Sequence, residues 1–218
     1  MPTRKVSLES ERKRARKILD LLRKEYPDAG TELRYSTPLD LLVATILSAQ
    51  CTDERVNMVT KELFRKYRTP EDYLKVPQEK FEQDIRSTGF FRNKTKNIRG
   101  ACQTLIEKFD SKPPRTMEEM LELPGVARKT ANIVLAHAYN VVEGIAVDTH
   151  VKRLAQRLGF TKNTDPDKIE ADLCALLPKE DWKICSDLLI FHGRRVCFAR
   201  KPNHDACVVR ELCPSRNI

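Results

Sequence analysis

Apolar positions recur every three or four residues along almost the whole chain, the period of a helix face rather than the alternation of a strand. Ile18, Leu21, Leu22 and Tyr26 mark a first amphipathic helix that Pro27 ends. Thr37-Pro38 then opens a helix through Leu41, Leu42, Ile46 and Leu47 that is apolar on most sides and therefore expected to be buried. Val56, Val59, Leu63 and Phe64 mark a third. Shorter patterns follow at 70–76 and 78–87, and a longer one at 94–109. Segments 116–121 and 128–139 flank a tight Pro-Gly turn. Beyond Asp148-Thr149 come Val151, Leu154, Ala155 and Leu158, then helical patterns over 165–177 and 181–195. No stretch reads as a sheet, and no internal repeat or low-complexity linker interrupts the pattern. The pattern predicts an all-α protein.

Composition supports this reading. Aromatic residues make up 6% and there are only seven glycines, a poor supply for sheets and their turns. The 40% of apolar residues can fill a core, and 218 residues allow one large domain or two small ones. The net charge of +9 suggests a polyanionic partner, because each cation that neutralises a phosphate releases condensed counterions. The alternative is a merely basic surface. No apolar run approaches the length of about 18 residues that spans a bilayer, so no membrane association is expected. Met1–Lys17 carries basic residues with no apolar stretch after them, which does not read as a secretory signal. The expectation is a cytoplasmic protein, nucleoid-associated in a prokaryote, whose seven cysteines stay free or bind metal. Cys51, Cys102, Cys174 and Cys185 are scattered singly and expected in the core. The other three crowd into the last 22 residues.

Candidate chemistry starts at Leu123-Pro124-Gly125-Val126-Ala127-Arg128-Lys129-Thr130-Ala131, which joins two helices by a very short turn. Gly125 can take a positive φ that other residues resist. The turn leaves the first N–H groups of the next helix unpaired, a natural phosphate site that grips DNA without reading sequence. An ordinary αα-corner is the alternative.

With its flanking segments, this hairpin resembles the helix-hairpin-helix superfamily of DNA glycosylases, and most closely the endonuclease III family. The match runs over nearly the whole chain, through Leu47-Ser48-Ala49-Gln50 and Thr52-Asp53, then Gly89-Phe90-Phe91-Arg92-Asn93-Lys94 and the hairpin. It continues through Ala146-Val147-Asp148-Thr149-His150 and His192-Gly193-Arg194. The resemblance implies that the Lys129 amine attacks C1′ of a damaged nucleotide, displaces the base through a Schiff base, and breaks the strand by β-elimination. Only a neutral amine attacks, and deprotonating an ordinary lysine at pH 7 costs roughly 4–5 kcal/mol. A helix N-terminus disfavours an ammonium ion, and a partly desolvated pocket is expected to do so further.

Asp148 precedes a helical pattern and suits an N-cap; the resemblance adds a catalytic carboxylate that takes protons and stabilises the cationic sugar. A base inside a duplex is out of reach, so it must be flipped out. The resemblance implies that Gln50 fills the vacated space and that Phe90 is an apolar wedge; the alternatives are a polar helix end and a core residue. Gly125, Ala127, Arg128, Thr130 and His150 are the remaining expected DNA contacts near the hairpin and the aspartate, with Thr149 in support. Ala127 stands where the family often has a second glycine.

The family's C-terminal loop binds a [4Fe–4S] cluster through cysteines spaced C-x6-C-x2-C-x5-C. Here that frame holds Cys197, His204, Cys207 and Cys213, with histidine at the second position. The resemblance implies a [4Fe–4S] cluster; Cys₃His also suits zinc, and an empty site is the third possibility. Arg194, Arg195, Arg200 and Lys201 surround the first ligand and are expected to bind DNA phosphate; a solvated basic surface is the alternative.

The implied architecture is two helical domains with a DNA-binding cleft between them. A six-helix barrel over 31–142 carries the helix-hairpin-helix, and 1–30 with 143–218 form the cluster domain. The implied partner is double-stranded DNA with a damaged base or abasic site, engaged by a monomer, and the implied lesions are oxidised pyrimidines. One alternative is a glycosylase without lyase activity, a kind that typically lacks lysine at position 129; its adenine-specific members carry a further C-terminal domain. Another is a non-catalytic helix-hairpin-helix DNA-binding protein.

Overall fold

The computed structural model describes residues 7–217. Among them every regular element is an α-helix or a short 3-10 turn, and there is no strand. The chain divides into two compact units, Thr31–Glu143 and Met1–Gly30 with Gly144–Ile218.

In the unit Thr31–Glu143, α2 (Pro38–Leu47) is the central post, with nine of its ten residues buried. Its start is set by local chemistry. The Thr37 hydroxyl accepts from the Asp40 N–H at 3.1 Å, and the Asp40 carboxylate accepts from the Thr37 N–H at 3.0 Å. This reciprocal capping box satisfies donors that a helix start leaves orphaned. Around α2 stand α3 (Asp53–Lys66), α6 (Phe91–Lys108) and α8 (Arg128–Ala138). The short α4 (Pro70–Lys75) and α5 (Gln78–Ile85) lie on α6, and α7 (Met117–Leu121) leads into the hairpin before α8. Tyr67, Tyr73 and Phe81 meet at ring-centroid distances of 5.3–5.7 Å. Each such buried aromatic stabilises the unit by about 1.5–3 kcal/mol through apolar area removed from water. Arg99 of α6 closes the C-terminal end of α4, donating to the carbonyls of Tyr73 and Val76 at 2.7 and 2.9 Å.

The other unit packs α1 (Leu8–Glu25) against α10 (Pro166–Leu176) and α11 (Trp182–Arg195), with α9 (Thr149–Arg157) against α11 and α10. Ile18, Leu19, Leu22, Val151, Leu154 and Leu188 are fully buried in its core. The residues after α11 fold without regular helix apart from one 3-10 turn, Arg210–Leu212.

Two expectations need correction. The helix expected from Lys94 begins at Phe91, because Phe90 takes a left-handed conformation (φ 47°) and supplies the N-terminal boundary. Of the four scattered cysteines, Cys102 and Cys185 are buried, but Cys51 and Cys174 are half-buried, packed at the edges of the two cores.

Candidate functional site

Leu123 and Val126 are buried, while Pro124 and Gly125 between them face solvent. Gly125 has φ +78°, and a Cβ built on it would lie 2.5 Å from Cβ of Asn97. Handedness and close approach to α6 both require glycine there. Ala127 is the N-cap of α8 at φ −90°, ψ 169°, and makes no side-chain cap. That is extended backbone any L-residue adopts, so alanine introduces no strain. The leading N–H groups of α8 are left uncapped by any side chain of the N-cap residue, the arrangement that attracts anions. Ala131, Val134 and Leu135 bury the inner face of α8. Lys129, its second residue, is exposed, with Arg128 and Thr130 half-buried on either side.

Asp148 belongs to the other unit. The chain reaches it through buried Ile145, Ala146 and Val147, and the Ala146 carbonyl accepts from the Ser186 hydroxyl at 2.8 Å. Half-buried Asp148 caps α9: its Oδ1 accepts from the Val151 N–H at 2.8 Å. Thr149 is exposed. His150 sits with Nδ1 3.1 Å from the Arg153 guanidinium. Burial lowers its pKa from 6.5, helped by the charges of Arg153 and Arg194 and opposed by Asp148. Arg153 has only donors to offer, so the contact suits a neutral ring that accepts at Nδ1, while a backbone hydrogen bond to Gly193 works the other way. Arg153 also donates to the carbonyls of Gly193 and Cys197, at 3.0 and 3.1 Å. A Cβ on Gly193 would sit 3.0 Å from both the Arg153 and His150 nitrogens, which accounts for the glycine in His192-Gly193-Arg194.

Gln50 and Phe90 both lie in the unit Thr31–Glu143, and both have left-handed backbones, φ 52° and 47°. Gln50 is exposed, and so is Phe90, at 64% of its surface. The core alternative for Phe90 is excluded. Among the described residues it is the most exposed large apolar side chain.

Cys197, His204, Cys207 and Cys213 line one cavity, closed by Arg157 and Arg210 among others. Among the described residues, no three His, Cys, Asp or Glu side chains are gathered tightly enough to hold a single metal ion. Burial pushes the Cys207 and Cys213 thiols up from the ordinary value, a cost that a bound cation reverses. Three thiols and an imidazole around one small cavity fit an iron–sulfur group. Arg157 reaches in at 3.2 Å from the Cys197 Sγ and donates to the Phe198 and Ala199 carbonyls at 2.7 and 3.0 Å. His192, 1% exposed, bridges the Tyr26 hydroxyl at 2.9 Å and the Cys207 Sγ at 3.4 Å, and burial lowers its pKa to about 4. Arg194 is half-buried, and Arg200 and Lys201 are exposed.

Sequence reasoning missed Arg153 and Arg157. Their spacing of four on α9 puts them on one face, but nothing local says that this face meets a loop some 40 residues on.

Residues 43–179 match the family of HhH-GPD superfamily base excision DNA repair proteins, and 197–213 match the iron–sulfur binding domain of endonuclease III. Endonuclease III of Synechocystis sp. is 57% identical over 206 residues, 94% of each chain. That of Bacillus subtilis is 47% identical over 196 residues, 89% of each chain. A solved trapped endonuclease III–DNA covalent intermediate superimposes with a TM-score of 0.90 at 47% identity, covering 94% of this chain and 96% of that one. A non-covalent endonuclease III–DNA complex gives 0.89 at the same identity and coverage. A thermostable thymine-DNA glycosylase, 21% identical with a TM-score of 0.84 over 94% of this chain and 97% of that one, shares the fold.

Proposed function

Since the chain belongs to the endonuclease III family, we propose that it is a bifunctional DNA glycosylase and abasic-site lyase of base excision repair, with Lys129 as nucleophile. The observation that carries the assignment is an exposed lysine on the first turn of α8, directly after a glycine hairpin whose helix start has no side-chain cap. The hairpin binds the phosphate backbone and brings the amine to the sugar. With the target nucleotide extruded, bound duplex DNA excludes water from around Lys129. The Lys129 amine attacks C1′, the base departs with a proton, and the ring-opened sugar remains as a Schiff base. Removal of a C2′ proton then expels the 3′ phosphate by β-elimination, and water releases Lys129. Asp148 supplies the carboxylate that stabilises the cationic sugar and accepts protons. Its second role as N-cap holds it in place through one oxygen.

Gln50 and Phe90 enter the duplex, where their exposure and left-handed turns suit insertion. Arg128, Thr130, His150, Arg194, Arg200 and Lys201 join the hairpin in contacting DNA. Oxidised pyrimidines are the lesions the family resemblance supports, acted on by a monomer in the cytoplasm, at the nucleoid in a prokaryote.

Cys197, His204, Cys207 and Cys213 hold a [4Fe–4S] cluster, with donors set around a cavity rather than gathered on one point. When bound, the group supplies a rigid anchor that pins the loop and its cations. Iron, sulfide and zinc assays with the visible absorbance spectrum distinguish it from zinc.

A lysine at position 129 disfavours a glycosylase without lyase activity. The match over 94% of this chain and 96% of a trapped covalent intermediate disfavours a passive binding module. Borohydride with abasic duplex DNA is expected to trap a covalent complex that Lys129→Ala abolishes. Absence of a trapped complex with the unaltered protein overturns the assignment.

A further inference from the structure

Lys94 carries no role in the chemistry described so far, yet it is one of the most buried cations of the molecule, 4% exposed in the first turns of α6. Its ammonium group donates to the Leu47 carbonyl at 2.8 Å and to the Thr88 carbonyl at 2.7 Å. Leu47 is the last residue of α2, where carbonyls lose their intrahelical partners. Thr88 ends the 3-10 turn Arg86–Thr88. Three residues after the first carbonyl comes Gln50, and two after the second comes Phe90. Lys94 holds the second turn by its main chain too, its N–H donating to the Phe90 carbonyl at 3.1 Å.

Left-handed backbone in residues with a Cβ persists only where the surroundings over-determine it. Here two such turns, both ending in exposed side chains, share one buried support. A compact ammonium with three donors can join carbonyls from separate segments, whereas an apolar side chain of equal length cannot. Burial opposes its charge and lowers its pKa, with Cys51 nearby acting the other way.

We propose that Lys94 is a positioning residue: by binding the Leu47 and Thr88 carbonyls together, it fixes the spacing of the Gln50 and Phe90 turns so that both side chains enter the duplex as a matched pair. The proposal rests on the insertion reading of Gln50 and Phe90.

The test uses the metal-loaded protein and a duplex with one abasic site beside 2-aminopurine, whose fluorescence rises on unstacking. Phe90→Ala and Gln50→Ala should weaken that rise and slow duplex cleavage. If neither does, the insertion reading itself fails. Lys94→Met should reproduce their effect, lowering single-turnover duplex cleavage by about tenfold. It should leave borohydride trapping on single-stranded abasic DNA at the original rate, since nothing there needs displacing. Added to the double variant Gln50→Ala with Phe90→Ala, Lys94→Met should slow duplex cleavage no further, while its loss of thermal stability persists, a coupling that a merely structural residue does not show. If Phe90→Ala matters but folded Lys94→Met gives the original fluorescence and duplex rate, the proposal is overturned. So it is if the two losses multiply, or if trapping on single strands falls equally. Should Lys94→Met not fold, Lys94→Gln, which keeps an amide donor for one carbonyl, is judged by the same criteria.

Discussion

Replacing Gly125 by alanine adds a single methyl group, and its effect can be worked from two separate terms. The residue's φ of +78° is one that a Cβ makes unfavourable by about 1–2 kcal/mol. The new Cβ would also lie 2.5 Å from Cβ and 2.6 Å from Cγ of Asn97, so the hairpin or α6 must shift. Forcing an extra carbon into a packed site costs about 1–3 kcal/mol more. Gly125→Ala should therefore lose about 2–5 kcal/mol, the sum of these terms, a large part of the roughly 5–15 kcal/mol that holds a typical domain folded. Urea unfolding should be followed by helical circular dichroism, because the one tryptophan, Trp182, belongs to the other unit. The steric term is removable only in part: Asn97→Ala cuts away Cγ and the amide but keeps the Cβ at 2.5 Å, so the double variant should recover a fraction of the loss. More than the backbone term of about 1–2 kcal/mol should remain, because the positive φ and the Cβ–Cβ contact both persist. A Gly125→Ala protein within about 0.5 kcal/mol of the original, the range of a neutral surface substitution, would refute the reasoning. So would a double variant no more stable than the single one.

Asp148 combines cap and catalyst, and serine separates them. Asp148→Ala should lose about 0.5–2 kcal/mol of stability, while Asp148→Ser should keep the cap within about 0.5 kcal/mol yet lose strand cleavage; cleavage at the original rate by the serine variant removes the catalytic role. His150 has a folded pKa below its unfolded value of 6.5, so the unfolded chain binds the extra proton. Its contribution is intact above that value and is lost as pH falls through the lowered folded pKa, by up to about 1.4 kcal/mol per pH unit. His150→Gln should flatten the fall in stability as pH drops below about 6.5, the unperturbed value where this loss begins, and an unchanged slope rejects the assignment. Arg200→Ala and Lys201→Ala should each reduce the slope of log affinity against log salt by about one. Binding isotherms at several salt concentrations that keep the original slope would place DNA elsewhere.

The parts of the site that were legible beforehand are those written in contiguous residues. Gly125 stands at a turn only glycine enters easily, Lys129 follows four residues later, and Asp148 sits where an N-cap belongs. Capping depends on side chains reaching N–H groups three residues away, and amphipathicity on a period of 3.6. Both lie within one element, so helix positions came out within a few residues. Where they did not, as at Phe91 rather than Lys94, the boundary is a left-handed Phe90 that no propensity favours.

By itself the sequence determined the all-helical class, the family, and the types of residue that carry the chemistry, because each rests on short-range spacing. Tertiary structure alone decided which partners those residues have. Arg153 and Arg157 grip carbonyls about 40 positions away, Lys94 joins the ends of two helical elements 47 and 6 positions from it, and Lys129 lies exposed. Hydrogen bonds between distant segments depend on how the helices pack, and packing is a property of whole faces in contact.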